Sequence, residues 1–534
     1  MLTQHALQFH SVISSSSPMS SSLSGVLLGK TAIVPSLLSS SALPPIPVLL
    51  AATSTSLFGQ TTASESSDQN PSSTPLTTMF SPRVRSSIWM ALAMALHFGG
   101  YEFARSGVLA LFTSAEMGFS HHSAYPFAMG LVTPVSLGLL YWYGILLKAK
   151  GPRTALKTTK GLSLGILLIG TIVLTLAGQG GGASTIWTRL IVAALFVFQN
   201  SYGHLIYTQQ WSFLGSIMTP TEGTKWFSAI AGVCSIVCTL AGTLVHRLAS
   251  VVGLLGLVQG TAVTLFLSLL FADRAYQLSE IHGFQPSESN SKKKSSGDDT
   301  KEVAKERSLL WKIAHLFQRV PTLAALFLEF ISFQSLSTVL NVCFVRQLKE
   351  QVPLDTDRAS YTGQFYAIIN GVSAIMQFIA LPLARKFLEP KLVYRLMPLI
   401  LLPLLLYSSI QHSTLTMAAI AFFMLKMMDY SLRNVVNEMV YQPLDFESRY
   451  LGKEVIGVFA NRFGKSGMSL ILSFLTPLGV GTVQLSQLAV AIASLWGTAS
   501  LWLSGTLVTN ADAERLVQER NSRKESGGDQ AKED

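Results

Sequence analysis

The chain has 534 residues and a formal charge of +10; 49% of its residues are hydrophobic and only 13% are charged. A soluble domain carries about a quarter charged residues, so this composition excludes an ordinary soluble protein and indicates one built for a bilayer. Three cysteines, Cys234, Cys238 and Cys343, are too few for a disulfide framework. No His or further Cys stands near the first pair in sequence to complete a tetrahedral site, so neither metal nor cofactor is expected.

Residues 1–82 are rich in Ser, Thr and Pro, with no acidic residue before Glu65 and only Lys30 as a positive charge before Arg83. Such a segment cannot bury a core and is expected to be a disordered leader that targets an organelle, of plastid rather than Arg-rich mitochondrial type. Twelve candidate spans follow, near 87–113, 125–147, 161–179, 187–214, 226–247, 251–273, 321–345, 361–387, 392–411, 413–440, 452–476 and 485–508. Their lengths suit bilayer-crossing helices. Residues 274–312, with Lys292-Lys-Lys294 and Asp298-Asp299 at the centre, read as a charged linker. It separates an N-terminal six-helix half, 83–273, from a C-terminal one, 313–510, and a charged disordered tail occupies 511–534. The expected fold is therefore an all-α integral membrane domain of about twelve transmembrane helices in two six-helix halves.

The basic residues are spread over the loops rather than gathered in one patch. Lys148, Lys150, Arg153, Lys157 and Lys160 follow the second span, and Arg385, Lys386, Lys391 and Arg395 follow the eighth. Positive loops orient helices in a membrane, so the charge implies a bilayer as partner and no nucleic acid.

Ionisable residues also fall within the spans, where each costs roughly 2.5–3.5 kcal/mol to insert, and this marks a polar path. Glu102 and Arg105 stand at i, i+3 in the first span, either neutralising each other or forming a gate at which Arg105 meets an anion. Lys426 and Asp429 repeat the spacing in the tenth. Arg433, one turn further, has no obvious neighbour in sequence and is a candidate anion ligand. Arg462 and Lys465 lie one turn apart in the eleventh. Gly464-Lys465-Ser466 is no Walker A loop, because Phe459 occupies the position of its required glycine and no strand precedes it. Lys465 reads instead as a point-charge ligand for a phosphate oxygen, with snorkelling to the interface as the bland alternative. Trp187, Trp211, Trp226, Trp496 and Trp502 near span ends are expected as interfacial anchors, with base stacking a minor alternative for one of them.

The run Asn437-Glu-Met-Val-Tyr-Gln-Pro-Leu-Asp445, followed by Gly452-Lys453 and Arg462-Phe-Gly-Lys-Ser-Gly467, resembles the bacterial and plastid type of ATP/ADP translocase. Gln199–His204, Thr224–Gly232 and Ser332–Gly363 are collinear with the same family, so the resemblance covers about residues 90–505. It implies a major-facilitator-like fold and a secondary transporter, not an enzyme. Such a transporter exchanges nucleotides across a plastid or similar envelope by alternating access, with ATP and ADP as the anionic small-molecule partners. Arg105 matches the family's Arg in the first span, and Glu438 and Lys465 match its later charged positions. The family's remaining charges are replaced: its first-span Lys falls near Val108, two glutamates are Asn200 and Asn341, and the Lys before Glu438 is Asn437. Asn200, Asn341 and Glu438 are expected to shape the pocket, with Arg105, Arg433, Arg462 and Lys465 as anion ligands. The lost charges leave two alternatives: the same fold carrying a different organic anion, and a membrane receptor or scaffold without transport.

Overall fold

The computed structural model describes residues 81–179, 186–218, 220–282, 315–380, 389–410, 414–441, 444, 448, 452, 455–507, 512 and 515. Residues 1–80 of the leader, residues 283–312 of the linker and most of the tail lie outside these residues. The described residues are almost wholly helical. α1 spans Pro82–Thr113; its first turn is set by Pro82 and by Ser81, whose hydroxyl accepts from the Val84 amide at 3.4 Å. The continuous stretch Ala124–Gln179 breaks at Gly151 (φ 78°) into α2, 124–150, and α3, 152–179. α4 is Ile186–Ile217. Pro220–Ile281 breaks in the same way at Gly253 (φ 72°) into α5, 220–252, and α6, 254–281. Both breaks need a left-handed residue, which glycine supplies without steric cost.

In the second half α7 is Pro321–Gln351, α8 is Asp355–Ile375 continued by a π-helical turn Met376–Ala380, and α9 is Pro390–Ile410. α10 runs from Leu415 to Tyr441 through a π-helical turn at Asp429–Arg433. α11 consists of a π-helical turn Ile456–Ala460 and helix Asn461–Leu475, and α12 is Thr482–Thr506. Among the described residues twelve helices result, close to the expected positions, although α6 continues to Ile281 and α3 begins at Pro152 rather than near 161. The early start places Lys160 inside α3 rather than in a basic loop. It is fully buried, donating to the Ser268 carbonyl at 3.1 Å and the Ser268 hydroxyl at 2.7 Å on α6.

Seven helical stretches are long and apolar enough to cross a bilayer, two of them being the glycine-broken pairs. α1, α8 and α11 complete the twelve. α1 and α8 are more polar and α11 is interrupted by its π turn, and all three border the site described below.

Lipid tails give helices little hydrophobic reason to associate, so close backbone approach and hydrogen bonding hold such bundles. At Gly107 a Cβ would sit 3.1 Å from the Leu254 carbonyl of α6, and at Gly203 of α4 it would overlap the Tyr101 ring of α1. The halves meet along two seams. On one, α5 lies against α8: a Cβ at Gly242 would fall 2.7 Å from the Gly363 carbonyl, Ser360 bonds His246 at 2.9 Å, and Phe378 fills the space above Gly232. On the other, α2 lies against α11: Ser466 Oγ and Thr133 Oγ1 are 2.6 Å apart, and Thr133 donates to the Arg462 carbonyl at 3.3 Å.

Further cross-half bonds gather at the end carrying the α1–α2 loop. There Lys349 donates to the Phe119 and Ser120 carbonyls at 2.7 and 2.9 Å, and Arg358 to the Thr113 carbonyl at 3.4 Å. The same end is bridged by Asn341 Nδ2 donating to Tyr125 Oη at 2.8 Å. Toward the other end of α2, Tyr141 is exposed and nothing lies within 4 Å of a Cβ built at Gly144. The described cross-half hydrogen bonds thus bridge the bundle at the α1–α2 loop end.

Candidate functional site

α11 presents two different faces. Gly464 packs on α7, where a Cβ would be 3.1 Å from the Ile331 carbonyl, and Ser466 and Leu470 pack on α2. Arg462 and Lys465 project between these contacts, toward the space between the halves. Among the described residues neither cationic head has a hydrogen bond or an ion pair, and both remain partly accessible. Lys465 lies in the electrostatic field of Lys426, Asp429, Arg433 and Arg462. Across the gap, His204 of α4 is exposed and feels both Arg462 and Lys465. The α11 cations therefore lie near α10 of their own half and near α4 of the other.

α10 contributes the rest of the charge. Lys426 and Asp429 stand 3.7 Å apart, with the ammonium 5.6 Å from the ring centroids of both Phe422 and Tyr430. Arg433 departs from expectation. Its Nε and Nη2 donate to the two carboxylate oxygens of Glu329 on α7 at 3.1 and 2.7 Å, its Nη1 lies 3.4 Å from Asp429, and Phe330 and Phe333 flank the guanidinium at about 4 Å. Both members are fully enclosed, and Trp496 of α12 donates to Glu329 at 2.9 Å. One edge of the guanidinium is bidentate to Glu329, Nη1 faces Asp429 and two rings pack against it, so a second anion has no access to it. Arg433 is accordingly a strut joining α7, α10 and α12. Trp496, expected at the interface, is part of the same strut and is fully buried.

Glu102 and Arg105 of α1 form the ion pair that their spacing predicts, and α8 completes it from the other half. Asn370 Nδ2 donates to Glu102 Oε1 at 3.0 Å, and the Arg105 guanidinium lies 3.3 Å from the centroid of the Tyr366 ring. The pair is thus a cross-half contact with its charge balanced internally. Asn370 and Tyr366, one turn apart on α8, were not singled out from sequence; an Asn-Gly pair within a candidate span was the available signal.

The asparagines that replace the family's glutamates are occupied differently. Asn341 reaches Tyr125 in the other half, whereas Asn200 donates at 2.8 Å to the Phe196 carbonyl of its own helix. The side chain of Glu438 lies outside the described ones. The structure therefore brings Arg462, Lys465, Lys426 and Asp429 into one electrostatic cluster, sets Glu102 and Arg105 against α8, and places Asn341 nearer the bridged end.

Comparison with known proteins agrees with this architecture. Residues 181–510 match the family described as TLC ATP/ADP transporter. ADP,ATP carrier protein 1 of Chlamydia trachomatis is 30% identical over 211 residues, covering 35% of this chain and 40% of that protein. ADP,ATP carrier protein 2, chloroplastic, of Arabidopsis thaliana is 34% identical over 100 residues, covering 17% and 16%. The chain thus spans less than two thirds of the length of the curated relatives it matches. Among solved structures, a D-xylose-proton symporter (TM-score 0.56, 12% identity, 79% of this chain and 97% of that one) and a bacterial homologue of the iron transporter ferroportin in an inward-facing state (TM-score 0.54, 15% identity, 79% and 98%) share the fold. With the match extending over more than half of its length and containing both α11 cations, this multi-pass membrane protein belongs to the TLC ATP/ADP transporter family.

Proposed function

We propose that this chain exchanges nucleotides, ATP against ADP, across a plastid-type envelope by alternating access between its two halves. The observation that carries this reading is the pair Arg462 and Lys465: two cations with no ion pair or hydrogen bond among the described residues, lying near α4 of the other half inside a bundle bridged at one end. Partnerless cations at depth are costly unless an anion or water meets them, and phosphate oxygens meet the requirement. The names of the Chlamydia and Arabidopsis relatives support the nucleotide, and the chloroplastic relatives support the envelope. No bond is made or broken, so no catalytic group is required; substrate gradients drive the exchange. The Glu102–Arg105–Asn370 contact and the Asn341–Tyr125 bond sit where separation of the halves must break them, which suits a gate.

A second reading is a different organic anion. It is favoured by Asn200 and Asn341, since one is bonded within its own helix and the other across the halves, leaving neither as a charged ligand. Uptake of labelled ATP into proteoliposomes, with and without internal ADP, separates the two. Exchange that depends on internal ADP supports the first reading, and its absence, with counterflow of another anion, supports the second. Lys465→Gln is expected to weaken binding of the transported anion by about 1.5–3 kcal/mol, the usual worth of a hydrogen bond to a charged group. Lys465→Arg is expected to retain part of the activity.

A further inference from the structure

At the bridged end an open-mouthed cavity of about 330 Å³ lies between the halves. Arg346 and Lys349 of α7 line it on one side, and His121 and His122 of the α1–α2 loop on the other. Among the described residues that line it, these four are basic and none is acidic. Lys349 gives two N–H groups to the Phe119 and Ser120 carbonyls, and its third has no partner among the described residues. Arg346 Nε donates to Glu350 at 3.1 Å and Nη1 to the Val480 carbonyl at 3.0 Å, whereas Nη2 has no partner among them. The Ser123 amide donates to His121 Nδ1 at 3.3 Å, which makes that nitrogen an acceptor and puts the proton of the neutral ring on Nε2. His122 is exposed and makes no hydrogen bond among the described residues. Desolvation and the Arg346 charge hold its ring below the ordinary imidazole range, with Lys349 and His121 adding to the effect and Glu350 opposing it.

We infer that this cavity is a second anion site, in which His121 and His122 of one half and Arg346 and Lys349 of the other hold a single tetrahedral oxyanion, a sulfate or phosphate group, between them. Charge-assisted N–H bonds of this kind are the strong ones, and the volume is at the lower end for ligand sites, which suits one such group. The site is separate from the Arg462 and Lys465 pair. Lys465 lies about 15 Å along the helix axis from Leu475 at the end of α11, and Arg346 bonds Val480 beyond that end. Because its walls come from different halves, the site exists only while this end is shut, and separation of the halves disperses the donors. A ligand that binds one state and not the other stabilises the state it binds. An oxyanion here therefore acts as a latch and not as cargo. The latch rests on the alternating access proposed above, but not on the identity of the cargo.

The test uses the full chain in phosphatidylcholine vesicles, with sulfate as the probe against chloride at equal ionic strength. Sulfate is expected to raise the unfolding temperature saturably, in the parent and in Lys465→Gln alike; the general stabilising effect of sulfate on folded proteins does not saturate. His122→Ala, a truncation of an exposed side chain, is expected to weaken the saturable component about tenfold, as for one lost hydrogen bond to a charged group. Arg346→Gln is expected to act in the same direction and decides the site if His122→Ala fails to fold. A parallel arm replaces sulfate by phosphatidylglycerol in the vesicles. Protection by either probe that the variants weaken supports the site and tells a free oxyanion from a lipid headgroup. Protection that the variants leave unchanged, that Lys465→Gln abolishes, or that neither probe gives, overturns it. For the latch, sulfate on the side of the α1–α2 loop is expected to lower the maximal rate of ATP exchange even at saturating ATP, and His122→Ala to relieve this. If sulfate merely competes with ATP, or leaves exchange unchanged, the latch is wrong and the nucleotide reading stands. If the parent takes up no nucleotide, that reading falls, while the protection assay still decides the site and the anion the chain does carry replaces ATP in deciding the latch.

Discussion

Replacing Glu329 by Ala removes the single acceptor of three donors, Arg433 Nε, Arg433 Nη2 and Trp496 Nε1, at 3.1, 2.7 and 2.9 Å. The carboxylate is fully enclosed and the guanidinium is 2% exposed, so water cannot replace the lost partner. Breaking one side of a buried ion pair typically costs about 3–5 kcal/mol, mostly as the penalty of leaving the other charge unpaired. Asp429, 3.4 Å from Arg433 Nη1, compensates part of that charge and places the expectation near the lower end, at about 3 kcal/mol. The double variant Glu329→Leu with Arg433→Met removes both charges and keeps apolar volume between Phe330 and Phe333. It leaves the Trp496 N–H and Asp429 short of a partner, at about 1–3 kcal/mol, and is therefore expected to recover part of the single variant's loss. Denaturant titration of purified protein in mixed micelles, read by helix content, measures both. A double variant no more stable than Glu329→Ala refutes the strut. So does Arg433→Met if it retains parental stability but loses anion binding as Lys465→Gln does.

Three further outcomes follow from the seams and the cross-half contacts. With Thr133 Oγ1 and Ser466 Oγ 2.6 Å apart, cysteines at both positions bring two thiols within reach of each other in this state. In a background lacking the three buried native cysteines, oxidation is expected to stop transport and reduction to restore it; unimpaired transport by the cross-linked protein speaks against separation of α2 from α11. Gly242→Val places a side chain where a Cβ already comes 2.7 Å from the Gly363 carbonyl and 2.9 Å from Ala367. Overpacking of this kind costs about 1–3 kcal/mol, so the melting temperature in detergent is expected to fall, and an unchanged value contradicts the α5–α8 packing. Asn370→Leu deletes the donor to Glu102, about 1.5–3 kcal/mol for a bond to a charged group. A lone cysteine at position 133 is then expected to react faster with an impermeant thiol reagent, because the closed state is less favoured.

Most of the architecture was legible because a bilayer imposes length and apolarity on each span and leaves both written in the chain. Charge pairs were legible only when local. Glu102–Arg105 and Lys426–Asp429 lie at i, i+3, a spacing that one helix brings together unaided. The partner of Arg433 is 104 residues away on α7, and the indole that completes the strut is 63 residues away on α12. No periodicity connects those helices, so an arginine without sequence neighbours looked available while the fold had consumed it. Lys160 misled in the opposite sense. A lysine two turns beyond a glycine-proline break reads as loop charge until the break proves to be a single residue, Gly151, and the helix resumes at Pro152. Lys465 was legible because the sequence around it is distinctive, and its open surroundings come from packing that places Gly464 and Ser466 on either side.

Among the described residues, π-helical turns interrupt α8, α10 and α11, all in the C-terminal half, and the other half has none. An added residue in a helical turn interrupts the regular ladder and makes that point easier to bend than uninterrupted helix. One such turn is tied to another: Gln377 of α8 donates at 2.9 Å to the Tyr430 carbonyl of α10. Mechanical compliance is thus unevenly divided, with these interruptions confined to the C-terminal half and two of them tied together. Closure around cargo can then proceed by flexing helices of that half, so the two ends of the pathway need not open by mirror-image movements.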